Sequence, residues 1–324
     1  MKEKVSIITG ASGEIGQNLI LRYSKLKNKK IIAIDLNELL TTSKVYRFIR
    51  GSILDTEIIN QLAEQYIIEE IFHLAAVLST KAEKNPNFAE QVNVNGTINL
   101  FNLALLQNLN YKIKTKFFFP SSIAVYNLEN VKKVRAVKEE TYCNPKTVYG
   151  KHKLYCENLG ISYDLYGNEL DLKIDFRCIR FPGIISINSM PTGGTSDYAP
   201  EMIHNAFKKN NYTCFVNNKS CLPFIVMPDA IEAIIKIMKR DKNQLNQNIY
   251  NITSFSPTVL NLYKLIKEEF PNFKLDYNID KMRQLIVNSW PNNIDDSNAR
   301  DQWDWSPRYD LELAFKEYIT PGLK

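Results

Sequence analysis

The sequence is poor in the residues from which metal and disulfide sites are built. It has only three histidines and five cysteines in 324 residues. No two cysteines have the two-residue gap that zinc knuckles and redox motifs use, and no histidine clusters with cysteines or carboxylates. We therefore expect no metal site, and we expect free thiols of the kind that a reducing compartment maintains.

Long apolar runs and a strong charge of one sign are also missing. Polar residues interrupt each hydrophobic run well before the ~18 apolar residues that a membrane span needs. Residues 1–4 leave no room for a signal peptide before the first strand-like run, so we expect a cytoplasmic protein without a membrane partner. The net charge of +6 is small for 324 residues, and it predicts no nucleic-acid partner.

What the sequence does have is a regular alternation of strand-length apolar runs with longer amphipathic segments. Runs rich in Val, Ile and Phe predict strands at residues 5–9, 30–34, 45–49, 71–74 and 116–119. Apolar spacings of three and four residues predict helices at residues 17–26, 56–66 and 88–106. The alternation predicts an α/β fold, a Rossmann-like doubly wound parallel sheet whose ligands bind at the carboxyl ends of the strands.

A glycine-rich turn joins the first predicted strand to the first helix. The segment TGASGEIG at residues 9–16 permits a tight turn and a close approach of backbone to a pyrophosphate at a helix N-terminus. Asp35 lies about 20 residues further on, where a carboxylate accepts hydrogen bonds from the adenosine ribose and repels a 2′-phosphate. We therefore predict NAD rather than NADP. The turn residues assigned to the cofactor are Gly10, Ser12, Gly13, Glu14, Ile15 and Gly16.

Two further strand ends carry candidate cofactor residues. Asp55 follows the third predicted strand and could reach the adenine amino group, although a cap on the helix beginning at Thr56 is an equally good interpretation. Leu74, Ala75 and Ala76 follow the fourth strand, where small side chains would let the cofactor lie against backbone. We interpret the preceding His73 as a strand histidine rather than a catalyst.

The strongest catalytic signal is a tyrosine and a lysine four residues apart, Tyr149 and Lys153. A helix places them on one face, where the ammonium can stabilise a phenolate. We expect the pKa of Tyr149 to fall by about three units, which needs about 4 kcal/mol and help from a positively charged nicotinamide. Tyr149 would then act as a general base towards an alcohol, and Ser122, beyond the fifth strand, could bind the same oxygen. Such a pair alone usually only covers a helix face, but here it follows a dinucleotide motif.

Together these residues resemble the short-chain dehydrogenase/reductase superfamily, in the extended branch that includes nucleotide-sugar epimerases and dehydratases. The resemblance covers nearly the whole chain and includes the segment NVNGT at residues 93–97. It implies that Asn93 belongs to the cofactor site. It also implies a homodimer formed through two helices, one of which carries Tyr149.

The C-terminal half is similar, more specifically, to the L-threonine 3-dehydrogenases of this superfamily, through RFPGIIS at 180–186, GGTSDYA at 193–199 and SWP at 289–291. The resemblance implies that Tyr149 takes the proton of the threonine 3-hydroxyl, Lys153 binds the nicotinamide ribose, and Ser122 orients the reacting oxygen. Hydride would pass to NAD and leave 2-amino-3-oxobutyrate. Ile184 would lie by the nicotinamide. The implied substrate residues are Ser79, Ser122, Tyr149, Gly183, Gly194, Thr195 and Trp290.

The second half of the chain is less regular. It predicts strands at 174–179 and 249–252, a polar loop at 189–195 and a helix starting at Ser256 and Pro257. We expect two interleaved units. Residues 1–184 form the NAD-binding domain, to which 226–254 return, while 185–225 and 255–324 form a smaller mixed substrate lobe.

The sequence differs from the family at two places, and it also allows one alternative function. His152 stands where the family usually has serine. The 127–141 segment is longer than usual and lacks the family's glycine after the aromatic residue, here Tyr126. The alternative is a nucleotide-sugar epimerase or dehydratase, which shares the N-terminal motifs. It would need basic residues in the second lobe to hold a diphosphate. The arginine candidates for that role are Arg283, Arg300 and Arg308.

Overall fold

A seven-stranded parallel sheet lies at the centre of the computed structural model, which describes residues 2–27, 29–40, 44–129, 131, 134–168, 171–188, 191 and 193–323. Its strands are β1 (Lys4–Thr9), β2 (Ile31–Asp35), β3 (Arg47–Arg50), β4 (Ile67–His73), β5 (Lys116–Ser122), β6 (Asp175–Phe181) and β10 (Ile249–Asn251). They lie in the order β10-β6-β5-β4-β1-β2-β3, with each neighbouring pair parallel. The predicted fold class is confirmed. The strand order reverses between β4 and β1, and sheets of this kind bind ligands at that point.

Helices cover both faces of the sheet and build the C-terminal part of the chain. They are α1 (Glu14–Tyr23), α2 (Thr56–Gln65), α3 (Ser79–Lys84), α4 (Pro86–Glu90), α5 (Gly96–Tyr111), α6 (Val148–Leu165), α7 (Tyr198–Phe207), α8 (Met227–Lys239), α9 (Val259–Glu269), α10 (Lys281–Ser289), α11 (Ser297–Trp303), α12 (Leu311–Leu313) and α13 (Thr320–Leu323). A π-helical turn, Gln91–Asn95, joins α4 to α5, so the predicted 88–106 helix belongs to a longer helical run. Within the described ranges, none of these helices combines the length and apolar character that crossing a bilayer requires.

The four short remaining strands form two parallel pairs. β7 (Gly183–Ile185) pairs with β9 (Phe224–Val226), and β8 (Tyr212–Cys214) pairs with β11 (Leu275–Tyr277). β7 follows β6 almost directly, so the chain passes from the central sheet into the C-terminal part beside the carboxyl ends of the strands.

Alternate side chains of the central strands fill two cores. Ile7, Ile32 and Phe117 lie in the core that includes residues of α2, α5 and α6. Their sequence neighbours Ile8, Ala33 and Phe118 lie in the core that includes α1 and α8. Because both faces are covered, the strands are apolar on both sides and are recognisable in the sequence as continuous hydrophobic runs.

A third core lies in the C-terminal part of the chain. It joins apolar residues of α7, α9 and α10 to a short 3-10 helix, Ile123–Val125, that follows β5. The chain therefore contributes to this core from a segment that immediately follows a strand of the central sheet. The division into two interleaved units stays a prediction, and Ser189, Met190 and Thr192 of the predicted polar loop lie outside the described residues.

The predicted start of α9 was wrong. The N-cap is Thr258, whose Oγ1 accepts a hydrogen bond from the Asn261 N–H at 3.1 Å. The backbone before it is extended because Phe224 of β9 donates to the Phe255 carbonyl oxygen at 2.7 Å and Phe255 donates back at 3.2 Å. This pairing delays the helix beyond Ser256 and Pro257.

Candidate active site

The glycine turn between β1 and α1 is shaped by contacts that leave no room for side chains. Gly10 has a φ of +64°, and a Cβ on it would lie 2.6 Å from the Ala75 backbone nitrogen. A Cβ on Gly16 would overlap the Gly10 carbonyl oxygen. Gly13 is the N-cap residue of α1, so the cap itself adds no side chain there. The turn thus lets a bound group approach the backbone at the start of α1, where pyrophosphates bind.

Asp35 ends β2 beside this turn, as predicted. Its Oδ2 accepts a hydrogen bond from the Ser12 N–H and its Oδ1 accepts one from the Asn37 N–H, each at 2.9 Å. The Ser12 hydroxyl donates to the Asn37 carbonyl oxygen at 2.9 Å. A carboxylate has about four acceptor positions, so Asp35 keeps capacity for further donors after these two bonds.

Asp55 has the structural role that the sequence left open. Its Oδ1 accepts hydrogen bonds from the Glu57 and Ile58 N–H groups at 3.0 and 3.3 Å, so it caps α2. A contact with adenine stays a prediction.

His73 and Asn93 hold the end of β4 in place. His73 is buried and exchanges hydrogen bonds at 2.9 Å with the hydroxyls of Thr9 and Thr97. Burial lowers its pKa to about 3, so the ring is neutral near pH 7 and agrees with the strand-histidine interpretation. Asn93 accepts from the Val77 N–H at 2.7 Å and donates to the Val77 carbonyl oxygen at 3.0 Å. Its amide therefore fixes the segment after β4, and its cofactor contact stays a prediction.

The candidate catalytic and substrate residues meet at one cavity of about 250 Å³ at the carboxyl ends of the strands. Thirteen of the predicted site residues line it: Glu14, Ile15, Leu74, Ala76, Ser79, Ser122, Tyr149, Lys153, Gly183, Ile184, Gly194, Thr195 and Trp290. The other predicted residues lie outside its lining: Gly10, Ser12, Gly13, Gly16, Asp35, Asp55, Ala75 and Asn93. Apart from Asn93 and the helix-capping Asp55, these lie around the glycine turn and the strand end that packs against it.

Tyr149 and Lys153 lie in the first turns of α6, on the cavity side. Thr147 caps this helix, with its Oγ1 accepting from the Gly150 N–H at 3.0 Å. A Cβ at position 150 would overlap the Ala124 carbonyl oxygen. Glycine therefore lets α6 pack closely against the 3-10 helix that follows β5. The Lys153 ammonium donates to the Pro120 carbonyl oxygen at 2.6 Å and lies 5.6 Å from the centre of the Tyr149 ring.

The expected lowering of the Tyr149 pKa is not found in the protein alone. Burial raises the pKa of the Tyr149 phenol above its usual value of 10. Burial also lowers the pKa of the Lys153 ammonium to about 8. Both effects have the same physical reason, since a low-dielectric site disfavours the charged form of each group. The phenol is therefore neutral near pH 7, and a lone ammonium does not overcome its desolvation.

Two cavity residues were missed in the sequence. Ser121 is buried, lines the cavity, and its hydroxyl has no partner among the residues that the structure describes. Asp197 also lines the cavity, and its Oδ2 accepts from the N–H groups of Gly193 and Gly194 at 2.9 and 2.5 Å. The sequence offered no signal for the role of Asp197 beyond its nearness to the two glycines.

Comparison with known proteins identifies the family. The model of the NAD dependent epimerase/dehydratase family matches residues 6–253. The chain belongs to this family. An uncharacterized epimerase/dehydratase of Staphylococcus aureus (strain USA300) is 36% identical over 320 residues, which are 97% of this chain and 95% of that protein.

Two solved structures of L-threonine dehydrogenases are also similar to this family member. The apo form of a monomeric L-threonine 3-dehydrogenase from a metagenome is 37% identical with a TM-score of 0.87, covering 98% of this chain and 99% of that one. The enzyme from Clostridium difficile is 31% identical with a TM-score of 0.88, covering 100% and 98%. The protein is thus an NAD-dependent oxidoreductase of the epimerase/dehydratase family.

The predicted cofactor, NAD, is confirmed by the family, and the residues present fit it. Gly13, the N-cap of α1, places no side chain over the helix N-terminus, where the diphosphate of NAD would lie. The remaining acceptor capacity of Asp35 suits the two hydroxyls of an adenosine ribose. Bound NAD supplies the hydride acceptor of the reaction.

Replacing Asp35 with serine is expected to weaken NAD binding by roughly 10- to 100-fold, the effect of losing hydrogen bonds to a charged group. Arg50 lies opposite Asp35 in the β2–β3 pairing and donates to the Leu36 carbonyl oxygen at 3.2 Å. Arg50 also pairs with the exposed Glu38 at 2.9 Å, and such surface pairs are weak. Without the Asp35 carboxylate, the guanidinium therefore favours a 2′-phosphate, and the ratio of the NADP to the NAD dissociation constant should fall. Fluorescence titration with both cofactors measures the effect. Glu69→Gln, at the other end of the sheet, is the control, and wild-type NAD affinity in Asp35→Ser would contradict the assignment.

The three arginines considered for a diphosphate are absent from the described lining of the cavity, and each is engaged with another group. Arg300 forms a two-bond ion pair with Asp296 at 2.7 and 2.9 Å, and Arg308 pairs with Glu317 at 2.8 Å. Arg283 donates to the Gly194 carbonyl oxygen at 2.6 Å. Among the described residues, the charged groups that line the cavity are Lys153, Glu14 and Asp197. This lining is poorly suited to two phosphates.

Proposed function

We propose that the protein oxidises L-threonine at C3 with NAD and forms 2-amino-3-oxobutyrate. The observation that carries the proposal is the composition of the cavity, where Tyr149, Lys153 and Ser122 meet several hydroxyls and backbone groups without an arginine in the described lining. This lining favours a small amino acid over a nucleotide sugar, whose diphosphate would need basic side chains. The solved structures of L-threonine dehydrogenases support the same substrate.

Tyr149 is proposed to accept the proton of the threonine 3-hydroxyl. Since burial raises its pKa, positive charge is needed beside the phenol before it can act as a base at neutral pH. The Lys153 ammonium is fixed on the Pro120 carbonyl oxygen at 2.6 Å and is proposed to provide part of that charge while it binds the nicotinamide ribose. Ser122, whose Oγ accepts from the Ala124 N–H at 3.2 Å, retains its own proton to donate to the reacting oxygen.

The remaining cavity residues are proposed to hold the amino acid. Ser79, the first residue of α3, offers a hydroxyl near a helix N-terminus, and Thr195 of the same cavity lining offers a second one. Trp290, at the C-terminus of α10, contributes a large apolar surface. Gly183 and Gly194 expose backbone, and Ile184 is proposed to lie against the nicotinamide.

We propose a homodimer through two helices, one of which is α6, the helix that carries Tyr149. Tyr155 and Leu165 of α6 have 52% and 51% of their surface exposed, and exposed apolar surface is typical of interfaces. The metagenome enzyme is described as monomeric, so the state must be measured. Sedimentation equilibrium yielding twice the chain mass supports the dimer, and a single chain mass refutes it.

The test of the proposed reaction is direct. Purified protein is mixed with NAD and L-threonine, and NADH absorbance is followed, with D-threonine and L-serine as matched controls. Parallel reactions contain UDP-glucose without L-threonine. No NADH from protein shown to bind NAD would refute the threonine reaction, and turnover of the nucleotide sugar would establish the alternative.

A further inference from the structure

Three side chains from different elements hold the glycine pair at the cavity wall. The Gly193 and Gly194 N–H groups both donate to Asp197. The Thr80 hydroxyl donates to the Gly193 carbonyl oxygen, and the Arg283 guanidinium donates to the Gly194 carbonyl oxygen at 2.6 Å. Both N–H groups and both carbonyl oxygens of the pair are therefore bound to side chains, which fixes the orientation of this part of the cavity wall.

Arg283 has a second contact besides its hydrogen bond to Gly194. Its guanidinium lies 3.5 Å from the centre of the Phe215 ring, a stacking contact that fixes its plane. Its Nε is buried and has no partner among the described residues. Arg283 does not line the cavity, so it would act on a bound substrate only through Gly194.

The helix that carries Arg283 also carries a second wall of the cavity. Arg283 lies in the first turn of α10, and Trp290 follows the last residue of the same helix. Thr195, the proposed substrate residue, directly follows Gly194. One rigid helix is thus bound to the glycine wall at one end and bears the tryptophan wall at the other.

We propose that Arg283 is a positioning residue that sets the distance between the Gly194–Thr195 wall and the Trp290 wall, and thereby sets the affinity for the amino acid. The proposal rests on the proposed function. NAD binding and the proton transfer at Tyr149 depend on other elements, β1, β2 and α6. Loss of Arg283 should therefore weaken substrate binding without changing either of them.

The test compares Arg283→Ala and Arg283→Lys with wild type. Arg283→Ala should raise KM for L-threonine about tenfold or more at saturating NAD, as expected for loss of a charged hydrogen bond. The value of kcat and the dissociation constant of NAD should stay within about twofold of wild type. Arg283→Lys should also raise KM, because a lysine ammonium cannot stack on Phe215 as a planar fork. Arg308→Ala, which removes an exposed ion pair, is the matched control and should leave KM unchanged.

The possible outcomes distinguish a failure of this inference from a failure of the proposed function. Wild-type KM in Arg283→Ala overturns the inference, and so does a fall in kcat with KM unchanged. If circular dichroism shows that Arg283→Ala does not fold, Arg283→Lys is judged by the same criterion. A wild-type protein that binds NAD but does not oxidise L-threonine refutes the proposed function itself.

Discussion

Tyr149→Phe is expected to lower kcat for L-threonine by about 10²–10⁴-fold, the usual contribution of a general acid or base. Phenylalanine keeps the ring and the packing of α6 but has no oxygen to take the proton. The dissociation constant of NAD should change little, because the glycine turn and Asp35 are untouched. Steady-state kinetics and NAD titration measure the two effects. Tyr166→Phe, at the exposed C-terminus of the same helix, is the control and should be fully active.

The pH dependence provides a second readout of the same residue. Burial raises the pKa of Tyr149, so the deprotonated fraction, and with it the rate, should rise with pH through the neutral range. The Lys153 ammonium has a pKa lowered to about 8 and loses its charge above that pH. The rise should therefore flatten near pH 8, because the phenolate then loses its cationic neighbour. A rate that falls between pH 6 and 8, or full activity in Tyr149→Phe, would refute Tyr149 as the base.

Glu157→Gln is expected to lower the free energy of unfolding by about 3–5 kcal/mol, since it leaves a buried arginine without its counter-charge. Glu157 of α6 binds Arg180 of β6 through two hydrogen bonds at 2.8 and 2.6 Å, and both side chains are almost fully buried. Arg180 also donates to the Tyr126 hydroxyl at 2.9 Å, and Tyr126 donates to Asn251 of β10 at 2.7 Å. The pair thus joins the helix of Tyr149 to two strands of the sheet.

Urea unfolding at constant pH, followed by tryptophan fluorescence, measures this effect. Glu317→Gln breaks the exposed pair with Arg308 and should cost less than about 1 kcal/mol. The double variant Arg180→Met/Glu157→Leu should be more stable than Glu157→Gln, because no charge stays buried without a partner. A decrease of less than about 1 kcal/mol in the free energy of unfolding of Glu157→Gln would contradict the prediction. It would mean that water or a rearranged side chain stabilises the buried arginine charge.

The sequence predicted the features that depend on neighbouring residues. Buried strands of a covered parallel sheet are continuous apolar runs, so β1, β2 and β5 were recognisable within a few residues. The glycine turn was recognisable because its contacts form between residues 10 and 16, with only the approach of Leu74 and Ala75 added by the fold. Asp35 followed from its place at the end of the second strand.

Features that depend on distant partners were predicted less well. The predicted start of α9 was wrong because Phe224 pairs with Phe255 and keeps the backbone there extended. The lowered pKa expected for Tyr149 neglected burial, which spacing along a helix does not reveal. The bonds from the Asn93 amide to Val77 and the binding of Arg283 to Gly194 also have no local signal.

The sequence by itself determined the α/β class, the dinucleotide turn, NAD as the cofactor and the pair of Tyr149 and Lys153, since each is encoded over a short stretch of chain. Only the tertiary structure decided how Ser79, Ser122, Tyr149 and Trp290 meet at one small cavity and where the arginines are engaged. The reason is physical. Local signals arise from backbone geometry and periodic burial, whereas cavity shape, desolvation and pairing of charges depend on residues far apart in the chain that packing brings together.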